Sequence, residues 1–449
     1  MSTFMNVIEE KLMPIAGKVG QNRYLNAIKD GFVYTMPFLI IGSFILLMVN
    51  LPFTDTNNVL YMEWYAKLMG AYKGDLVQPF YVSMGIMSLF VSYGIGMSLS
   101  TSYGLNGSTG GFLSMYAFLL TSAKLDWLPV GQAEGATSLF LIPQGGWMPV
   151  MDARYLDAKG LFTAIIGGII AIEIFRLLVQ KKFVIKLPDS VPPAIAKSFE
   201  LLIPIVIVTI VFHAVNVFAI KNFNIMLPEI ILKAFAPLLN MSDSLISVIF
   251  IIIITHLLWF AGLHGTNIVV AIINSITLSN LAVNQAALQA GEALPKVFAG
   301  GFLDAFVYIG GAGATLGLAL AMMVSKNDHI KSIGKLSVIP AVFNINEPIM
   351  FGAPIVMNPL LFIPFVGIPV LNACIAWFAT KMNLVGKIVT LVPWTTPGPV
   401  GAFLATNFSI TALILSCALV ALSFFLYLPF LRVYEKTLNE SEVGEEVAA

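Results

Sequence analysis

Long apolar runs dominate this chain and restrict the folds open to it. A helix that crosses a lipid bilayer needs about 20 predominantly apolar residues. Hydrophobic residues make up 58% of the chain and charged residues only 11%, whereas soluble domains carry about a quarter charged residues. The sequence therefore predicts an all-α polytopic membrane protein. Runs of sufficient length occupy residues 31–53, 78–100, 105–123, 160–180, 199–220, 244–263, 361–380 and 405–431.

Other apolar segments, interrupted by Gly, Pro or Asn, lie between these runs. Each can form short helices, a hairpin that re-enters the bilayer, or a tilted span. Non-helical backbone is tolerated at membrane depth only where protein or a water-filled cavity covers it. We therefore expect about ten transmembrane helices plus re-entrant hairpins. The interrupted segments are residues 266–290, 298–325, 336–360 and 384–402.

Basic residues near the helix ends indicate the orientation, because Lys and Arg accumulate in short cytoplasmic loops. The net charge is zero, so the composition gives no reason to expect nucleic-acid binding. The basic clusters place both termini in the cytoplasm. They are Lys11, Lys18, Arg23 and Lys29 before the first span, Arg176, Lys181, Lys182 and Lys186 at the end of the fourth, and Arg432 and Lys436 after the last.

A segment rich in charge and proline divides the chain. Residues 181–200 contain this mixture, and prolines there exclude one continuous helix, so we expect a cytoplasmic amphipathic linker. Residues 1–180 then form an N-terminal transmembrane scaffold. Residues 201–433 form a transmembrane substrate-binding domain, of which 201–220 can pack with the scaffold. Residues 434–449 are acidic, and we expect a disordered tail.

Two ionisable residues lie where the sequence is otherwise apolar. Glu347 is the one Asp, Glu, Lys, Arg or His between Lys335 and Lys381. His264 lies in a stretch with no Asp, Glu, Lys or Arg from Ser244 to Gly291. A charged group in a bilayer costs several kcal/mol, so one that persists usually faces a cavity, a partner or a substrate. We expect Glu347 and His264 to share a buried polar site in a transporter, to which Asn346 adds an amide.

Three further residues are candidates for this site, each with an alternative role. Trp259 and Trp394 fit a sugar site, because aromatic faces pack against the C–H faces of sugar rings. Tryptophan is also common at membrane interfaces, which is the alternative for both. Asp304 either binds a ligand hydroxyl or caps a broken helix.

The sequence gives little support for a metal or a nucleotide. His256 and His264 lie eight residues apart without an obvious third ligand, which is not a metal-binding spacing. The glycine-rich segment Gly310–Gly317 lacks the Gly-Lys-Ser/Thr ending of a nucleotide-binding loop. Its glycines instead favour close approach of helix backbones. We therefore expect no cofactor and no metal.

Several of these stretches resemble the membrane-embedded IIC component of bacterial phosphoenolpyruvate-dependent sugar phosphotransferase systems, of the lactose/cellobiose/diacetylchitobiose type. The resemblance covers residues 8 to 435. It implies a homodimer in the bacterial inner membrane, with a scaffold and dimerisation domain and a moving substrate domain that contains re-entrant hairpins. The stretches that carry it are Ile185–Pro192, Leu258–Gly265, Gly310–Gly317 and Asn344–Gly352.

The same resemblance implies a sugar permease that translocates a disaccharide, such as cellobiose or diacetylchitobiose, and presents its 6-hydroxyl for phosphorylation by a IIB protein. Glu347 and His264 would approach that hydroxyl, supported by Asn346, Trp259, Trp394 and Asp304.

Cys374 and Cys417 both lie in apolar stretches, so we expect the phosphocysteine-bearing IIB protein and its IIA donor to be separate polypeptides. The chain is then a transport subunit and not a complete enzyme. A cation-coupled secondary sugar transporter, with Glu347 as proton carrier, is the alternative.

Overall fold

The structure is a computed structural model that describes residues 13–51, 53–54, 61–129, 147–185, 188, 191–192, 199, 201–353, 355–356 and 358–448. Nearly all of its regular elements are α-helices. The first part of the chain contains α1 (Met13–Gly20), α2 (Arg23–Val49), α3 (Glu63–Leu76), α4 (Gln78–Tyr81), α5 (Met87–Ser102), α6 (Gly107–Ser122), β1 (Leu125–Pro129), β2 (Trp147–Met151) and α7 (Leu161–Gln180).

The second part of the chain is also helical, with several short elements. A π-helix, Leu303–Val307, stands between two of its α-helices. The α-helices are α8 (Leu202–Phe223), α9 (Leu227–Ser242), α10 (Leu245–Phe260), α11 (Gly265–Ala290), α12 (Thr315–Met323), α13 (Asp328–Val342), α14 (Glu347–Gly352), α15 (Pro359–Lys381), α16 (Gly398–Ala405) and α17 (Ile410–Ala448).

Seven helices in the described part of the chain are long and apolar enough to cross a membrane. The all-α membrane fold predicted from the sequence is therefore confirmed. The seven are counted by length and composition, and Leu245–Phe260 is a shorter apolar helix, so the total of about ten spans stays a prediction. The seven are Arg23–Val49, Met84–Ser102, Ala158–Gln180, Leu202–Phe223, Gly265–Ala290, Leu360–Lys381 and Ile410–Leu438.

The interrupted segment 266–290 is one continuous helix, α11. Two of its asparagines, Asn280 and Asn284, resemble breaks in the sequence, but their side chains bond to the loop that follows the helix. The Asn280 amide donates to the Phe298 carbonyl (2.8 Å), and the Asn284 amide donates to the Lys296 carbonyl (2.9 Å). These bonds satisfy buried polar groups without interrupting the backbone ladder of the helix.

A short antiparallel hairpin lies between α6 and α7. Strands β1 and β2 pair so that Leu125 lies opposite Met151 and Pro129 lies opposite Trp147. The sequence does not predict this hairpin. Each strand is only five residues long, and its alternation of apolar and polar residues is too short to indicate a strand.

The chain packs into two compact units. One comprises Met1–Lys29, Met36–Met84 and Pro237–Ala449, and the other comprises Asp30–Thr35 and Gly85–Ala236. They are units of packing, so the functional division at residues 181–200 stays a prediction. Most of residues 186–200 of the predicted linker lie outside the described residues.

The smaller unit is built by helices that approach closely through small residues. The hydroxyls of Ser92 and Ser114 join α5 to α6 at 2.9 Å. A Cβ on Gly96 would lie 2.4 Å from the Ser114 Cβ, so only glycine fits there. Val208 and Phe212 of α8 pack against α6 and α7 in the same unit.

The larger unit contains the core beneath the candidate site. Fully buried side chains from α12, α14 and α15 meet there, among them Leu318, Ile349 and Phe365. Helix α17 also packs on this core through Tyr434 and Leu438, and its backbone is helical to Ala448. The first residues of the predicted disordered tail are thus helical. Two of their side chains, one helical turn apart, pack against the core and stabilise this part of the helix.

Candidate functional site

His264 lies where the backbone turns from α10 into α11. The Nδ1 atom of its ring accepts a hydrogen bond from the Asn267 backbone N–H (3.2 Å) and so caps α11. Because Nδ1 is an acceptor, the neutral imidazole carries its hydrogen on Nε2. Gly265 makes the tight turn possible, since a Cβ there would lie 2.0 Å from the Thr255 carbonyl oxygen. The local sequence therefore fixes both the position and the tautomer of this imidazole.

The Nε2 atom of His264 faces the carboxylate of Glu347. The distance from Nε2 to Oε1 is 3.6 Å, which is longer than a hydrogen bond. Both side chains are accessible, with exposed fractions of 41% and 45%. The structure thus brings together the two ionisable residues that the sequence singles out. Their separation leaves each of them able to bond to a third group.

Trp259 supports the imidazole. Its ring packs against the His264 ring at a centroid distance of 4.3 Å and an angle of 45°. The indole N–H donates to the Thr266 hydroxyl (3.0 Å), and the side chain is only 3% exposed. In this conformation Trp259 presents little open surface to a ligand. Its direct contact with a sugar stays a prediction, whereas its contact with His264 is observed.

Asn346 stands directly before Glu347 and is buried. Its amide donates to the Ala312 carbonyl at 2.8 Å, which ties the start of α14 to the glycine-rich loop. Gly311 of that loop has a φ of +101°, and a Cβ there would lie 2.8 Å from the Asn346 Cβ. Asn346 therefore uses its amide N–H to hold the loop against Glu347, and a sugar contact by this residue stays a prediction.

Asn344 is a residue of this site that sequence reasoning missed. Its side-chain oxygen accepts from the Gly310 N–H (2.7 Å), and its amide donates to the carbonyls of Trp394 (2.6 Å) and Thr396 (3.1 Å). Its backbone is left-handed, with φ +61°. One buried side chain therefore joins three segments that are distant in sequence. The sequence offered one indication of this role. Asn344 lies two residues before Asn346, and asparagine tolerates a left-handed backbone better than most residue types.

The glycine-rich loop is also fixed from the opposite end by His256. This histidine is fully buried, and its Nε2 accepts from the Gly313 N–H at 2.8 Å while Nδ1 bonds to the Ile252 carbonyl at 2.7 Å. Gly313 has a φ of +92°, and a Cβ there would lie 2.3 Å from the Phe365 ring. His256 is thus a structural residue, and the loop serves close packing, as the sequence favours.

Trp394 contributes to the site through its backbone. Its carbonyl accepts from Asn344, as described, while its indole is 51% exposed. An exposed aromatic face beside a fixed backbone is what a sugar-stacking residue requires. The contact itself stays a prediction.

Asp304 lies in the π-helix and lines two small cavities. One, of about 60 Å³, is shared with Asn274 and Tyr308, and the other, of about 10 Å³, is shared with Thr396. The cap position of the π-helix is occupied by Phe302 and Asp304 lies in its first turn, so Asp304 is not the N-cap residue of this helix. The amide nitrogen of Asn274 has no hydrogen-bond partner among the described residues. These polar groups make a hydroxyl ligand the better-supported role for Asp304, which stays a prediction.

A larger cavity, of about 290 Å³, opens beside His264. Gln21 and two residues of α2, Asn26 and Lys29, contribute to its lining, together with Asn267 of α11. Its volume is near the lower end of the range for ligand pockets, roughly 300–1,000 Å³. Sequence reasoning missed these contributors because it used the basic residues near the amino terminus only as markers of orientation.

The described residues contain no group of three or more His, Cys, Asp or Glu placed to hold a metal ion. The polar groups that converge near Glu347 are amides, an imidazole and a carboxylate. These are groups that bond to hydroxyls.

Comparison with known proteins identifies the family of this fold and site. Residues 29–369 match the family described as "Phosphotransferase system, EIIC". The chain belongs to this family. EIIC chains are the membrane permease components of sugar phosphotransferase systems, and the predicted membership and permease function are confirmed.

Two curated relatives and one solved structure match over nearly the whole chain. The lichenan permease IIC component of Bacillus subtilis (strain 168) is 37% identical over 98% of this chain and 96% of the relative. The cellobiose-specific EIIC component of Geobacillus stearothermophilus is 38% identical over 99% of this chain and 97% of the relative. The structure of ChbC, the IIC component from the N,N'-diacetylchitobiose-specific phosphotransferase system, matches with a TM-score of 0.86 and 36% identity, over 97% of this chain and 99% of that one.

Proposed function

We propose that this EIIC chain carries a disaccharide of the cellobiose or diacetylchitobiose class across the bacterial inner membrane and holds its 6-hydroxyl for phosphorylation by a IIB protein. The observation that carries the proposal is the 3.6 Å separation of His264 Nε2 and Glu347 Oε1 in accessible positions. The names of the relatives, lichenan and cellobiose permease components and a diacetylchitobiose transporter, support the substrate class.

The geometry suits one alcohol between the two side chains. The Nε2–H of His264 donates to the hydroxyl oxygen, and the hydroxyl hydrogen points to Glu347. When the oxygen attacks phosphorus, Glu347 accepts the proton that the hydroxyl loses. Phosphoryl transfer depends mainly on positioning and on charge stabilisation, so a chain that holds the hydroxyl supplies the acceptor half of the site.

The arrangement in the membrane completes the proposal. Both termini lie in the cytoplasm, as the basic residues indicate, and the IIB protein and its IIA donor are separate cytoplasmic polypeptides. Two copies of the chain form a homodimer through the N-terminal scaffold, and residues 201–433 carry the sugar. Asn346, Trp394 and Asp304 are supporting contacts to the sugar, and Trp259 orients the imidazole.

Uptake by sealed vesicles tests this function. Vesicles that contain the chain, phosphoenolpyruvate and the soluble phosphotransferase proteins should accumulate labelled cellobiose as its phosphate. Dissipation of the proton and sodium gradients should leave the rate unchanged. If uptake instead requires an ion gradient and delivers unmodified sugar, the chain is a cation-coupled transporter and the proposal is wrong.

The role of Glu347 has its own test. Glu347→Gln keeps the shape and hydrogen-bonding capacity of the side chain but cannot accept the proton. Sugar binding should change by less than about threefold, whereas phosphorylation should fall by roughly 10²-fold. Near-normal phosphorylation by this variant would exclude Glu347 as the base.

A further inference from the structure

Gly313 of the glycine-rich loop has both of its backbone polar groups bound by buried side chains. The Tyr427 hydroxyl of α17 donates to the Gly313 carbonyl at 2.6 Å, and the Gly313 N–H donates to His256 Nε2 at 2.8 Å. Tyr427 and His256 are both fully buried. Non-helical backbone at membrane depth requires such partners, because water does not supply them there.

The backbone next to this residue is strained. Ala314 has a φ of +54° and a ψ of +45°, in the left-handed region that a residue with a Cβ adopts only at an energetic cost. The carbonyl to which Tyr427 donates belongs to the peptide bond that enters Ala314. Strained backbone persists only where the surrounding structure holds it, and it is concentrated at functional sites. Tyr427 therefore stabilises a strained segment of the loop.

The same loop is bonded to the residue before the proposed base. The Ala312 carbonyl accepts from the Asn346 amide at 2.8 Å. The Asn346 carbonyl in turn accepts the first two backbone hydrogen bonds of α14, at 2.9 and 3.0 Å. Glu347 is the first residue of that helix. Its position therefore depends on Asn346, and through the Ala312 carbonyl on the loop that Tyr427 holds.

The imidazole of the pair is supported by the helix that also binds the loop. His256 of α10 bonds to Gly313, and in the same helix Trp259 packs its ring against that of His264 at a centroid distance of 4.3 Å. The loop and α10 together thus support both members of a pair whose facing atoms are 3.6 Å apart. A misplacement of about 1 Å at such a site can lower a rate by roughly 10²-fold.

We propose that Tyr427 is a positioning residue for phosphoryl transfer, and that its hydroxyl holds the glycine-rich loop so that Glu347 stands at the distance from His264 that one sugar hydroxyl requires. The inference rests on the proposed function and assigns to it a residue outside the pair. Because Tyr427 is fully buried, it acts through the loop and Asn346 and not by contact with the reacting atoms.

The kinetics of Tyr427→Phe provide the first test, because this variant removes the hydroxyl and keeps the ring in the core. The probe is a IIB protein, phosphorylated on its cysteine, that supports cellobiose phosphorylation by the wild-type chain. The kcat for transfer should fall about tenfold, while the Kd for cellobiose changes by less than about threefold. Titration calorimetry on the purified full-length chain gives both the Kd and the fraction of chains that bind sugar, so kcat is expressed per binding-competent chain.

Ser423 offers the matched control. It is buried in α17, one helical turn before Tyr427, and its hydroxyl accepts from the Asn372 amide of α15 at 3.1 Å. Ser423→Ala therefore also leaves a buried polar group without its partner, but the bond that it removes does not involve the loop. The thermal midpoint should fall in both variants, whereas kcat should stay within about twofold of the wild type in Ser423→Ala.

A double-mutant cycle provides the second test, because it separates positioning from general destabilisation. In the Glu347→Gln chain the base is already lost, so the addition of Tyr427→Phe should lower transfer by less than about twofold. A hydroxyl with a purely structural role would lower transfer by the same factor with and without the base.

Three outcomes would overturn the inference. Normal kcat in Tyr427→Phe would limit the hydroxyl to a role in stability. An equal fall in Ser423→Ala would attribute the effect to lost stability in α17. Multiplicative losses in the double variant would show that Tyr427 does not act through Glu347. Failure of transfer in the wild-type chain would instead refute the proposed function, and normal transfer by Glu347→Gln would refute its base and this inference together.

Discussion

Asn344 offers the sharpest test of how the site is assembled. Its side chain makes three hydrogen bonds, to the Gly310 N–H and to the carbonyls of Trp394 and Thr396, and its backbone is left-handed. Asn344→Ala removes all three bonds, each with a net contribution of about 1 kcal/mol. It also places alanine in a left-handed conformation, at a further cost of about 1 kcal/mol. We therefore expect a loss of about 4 kcal/mol in the free energy of unfolding.

A matched variant separates the two contributions. Asn383 is also left-handed, with φ +57°, but it is exposed and no side-chain hydrogen bond of it is found in the described chain. Asn383→Ala should therefore cost only the conformational contribution of about 1 kcal/mol. Both free energies can be measured by equilibrium unfolding in mixed detergent micelles.

Asn344→Asp extends the comparison. An aspartate keeps the acceptor for the Gly310 N–H but places an oxygen against the two carbonyls, so it should destabilise the chain about as much as alanine does. Sugar affinity should fall with stability in both Asn344 variants, because Trp394 and the glycine-rich loop lose their common anchor. If Asn344→Ala is within 1 kcal/mol of Asn383→Ala, the three hydrogen bonds do not hold the site together.

Three further predictions concern neighbouring parts of the site. His264→Asn should keep the cap of α11, with the thermal midpoint close to the wild type, yet lower phosphoryl transfer by roughly 10²-fold because Nε2 is lost; normal transfer would exclude the imidazole from the reaction. Gly313→Ala should destabilise the chain by more than about 2 kcal/mol, because its Cβ would enter the Phe365 ring. Gly367→Ala, where no atom lies near the added Cβ, should stabilise α15 by up to about 1 kcal/mol. If the thermal midpoints of the Gly313 and Gly367 variants shift in the same direction, close packing at Gly313 does not explain its effect. Trp259→Phe should cost about 1 kcal/mol of stability through the lost indole hydrogen bond while the ring contact to His264 remains; a larger loss of transfer than of stability, measured in parallel, would show a direct role in the chemistry.

The sequence could predict the residues of the site whose burial among apolar neighbours is energetically costly, because that cost can be recognised from the sequence alone. Glu347 and His264 stand out because ionisable groups are expensive among apolar residues. Their proximity follows from that cost, since each needs a polar environment. The structure brings them within 3.6 Å, although His264 precedes α11 and Glu347 begins α14.

The parts that the sequence could not predict depend on backbone partners. Asn344 bonds to backbone groups of Gly310, Trp394 and Thr396, and a backbone N–H or carbonyl carries no residue-type signal. The sequence did not predict that Lys29 lines the cavity beside His264, for a different reason. A basic residue near the start of the first span is already accounted for by membrane orientation. The sequence left a hairpin and a span open for the segment that forms α11, because Asn280 and Asn284 look like breaks until their backbone partners in the adjacent loop are known.

The gap between His264 and Glu347 also sets what the pair can recognise. At 3.6 Å, neither group satisfies the other, and a single oxygen can stand within bonding distance of both. That oxygen must accept on one side and donate on the other, which an alcohol does and an ether or a carbonyl does not. The two side chains therefore select together for a free hydroxyl. A sugar without a hydroxyl on its terminal carbon would lose both hydrogen bonds.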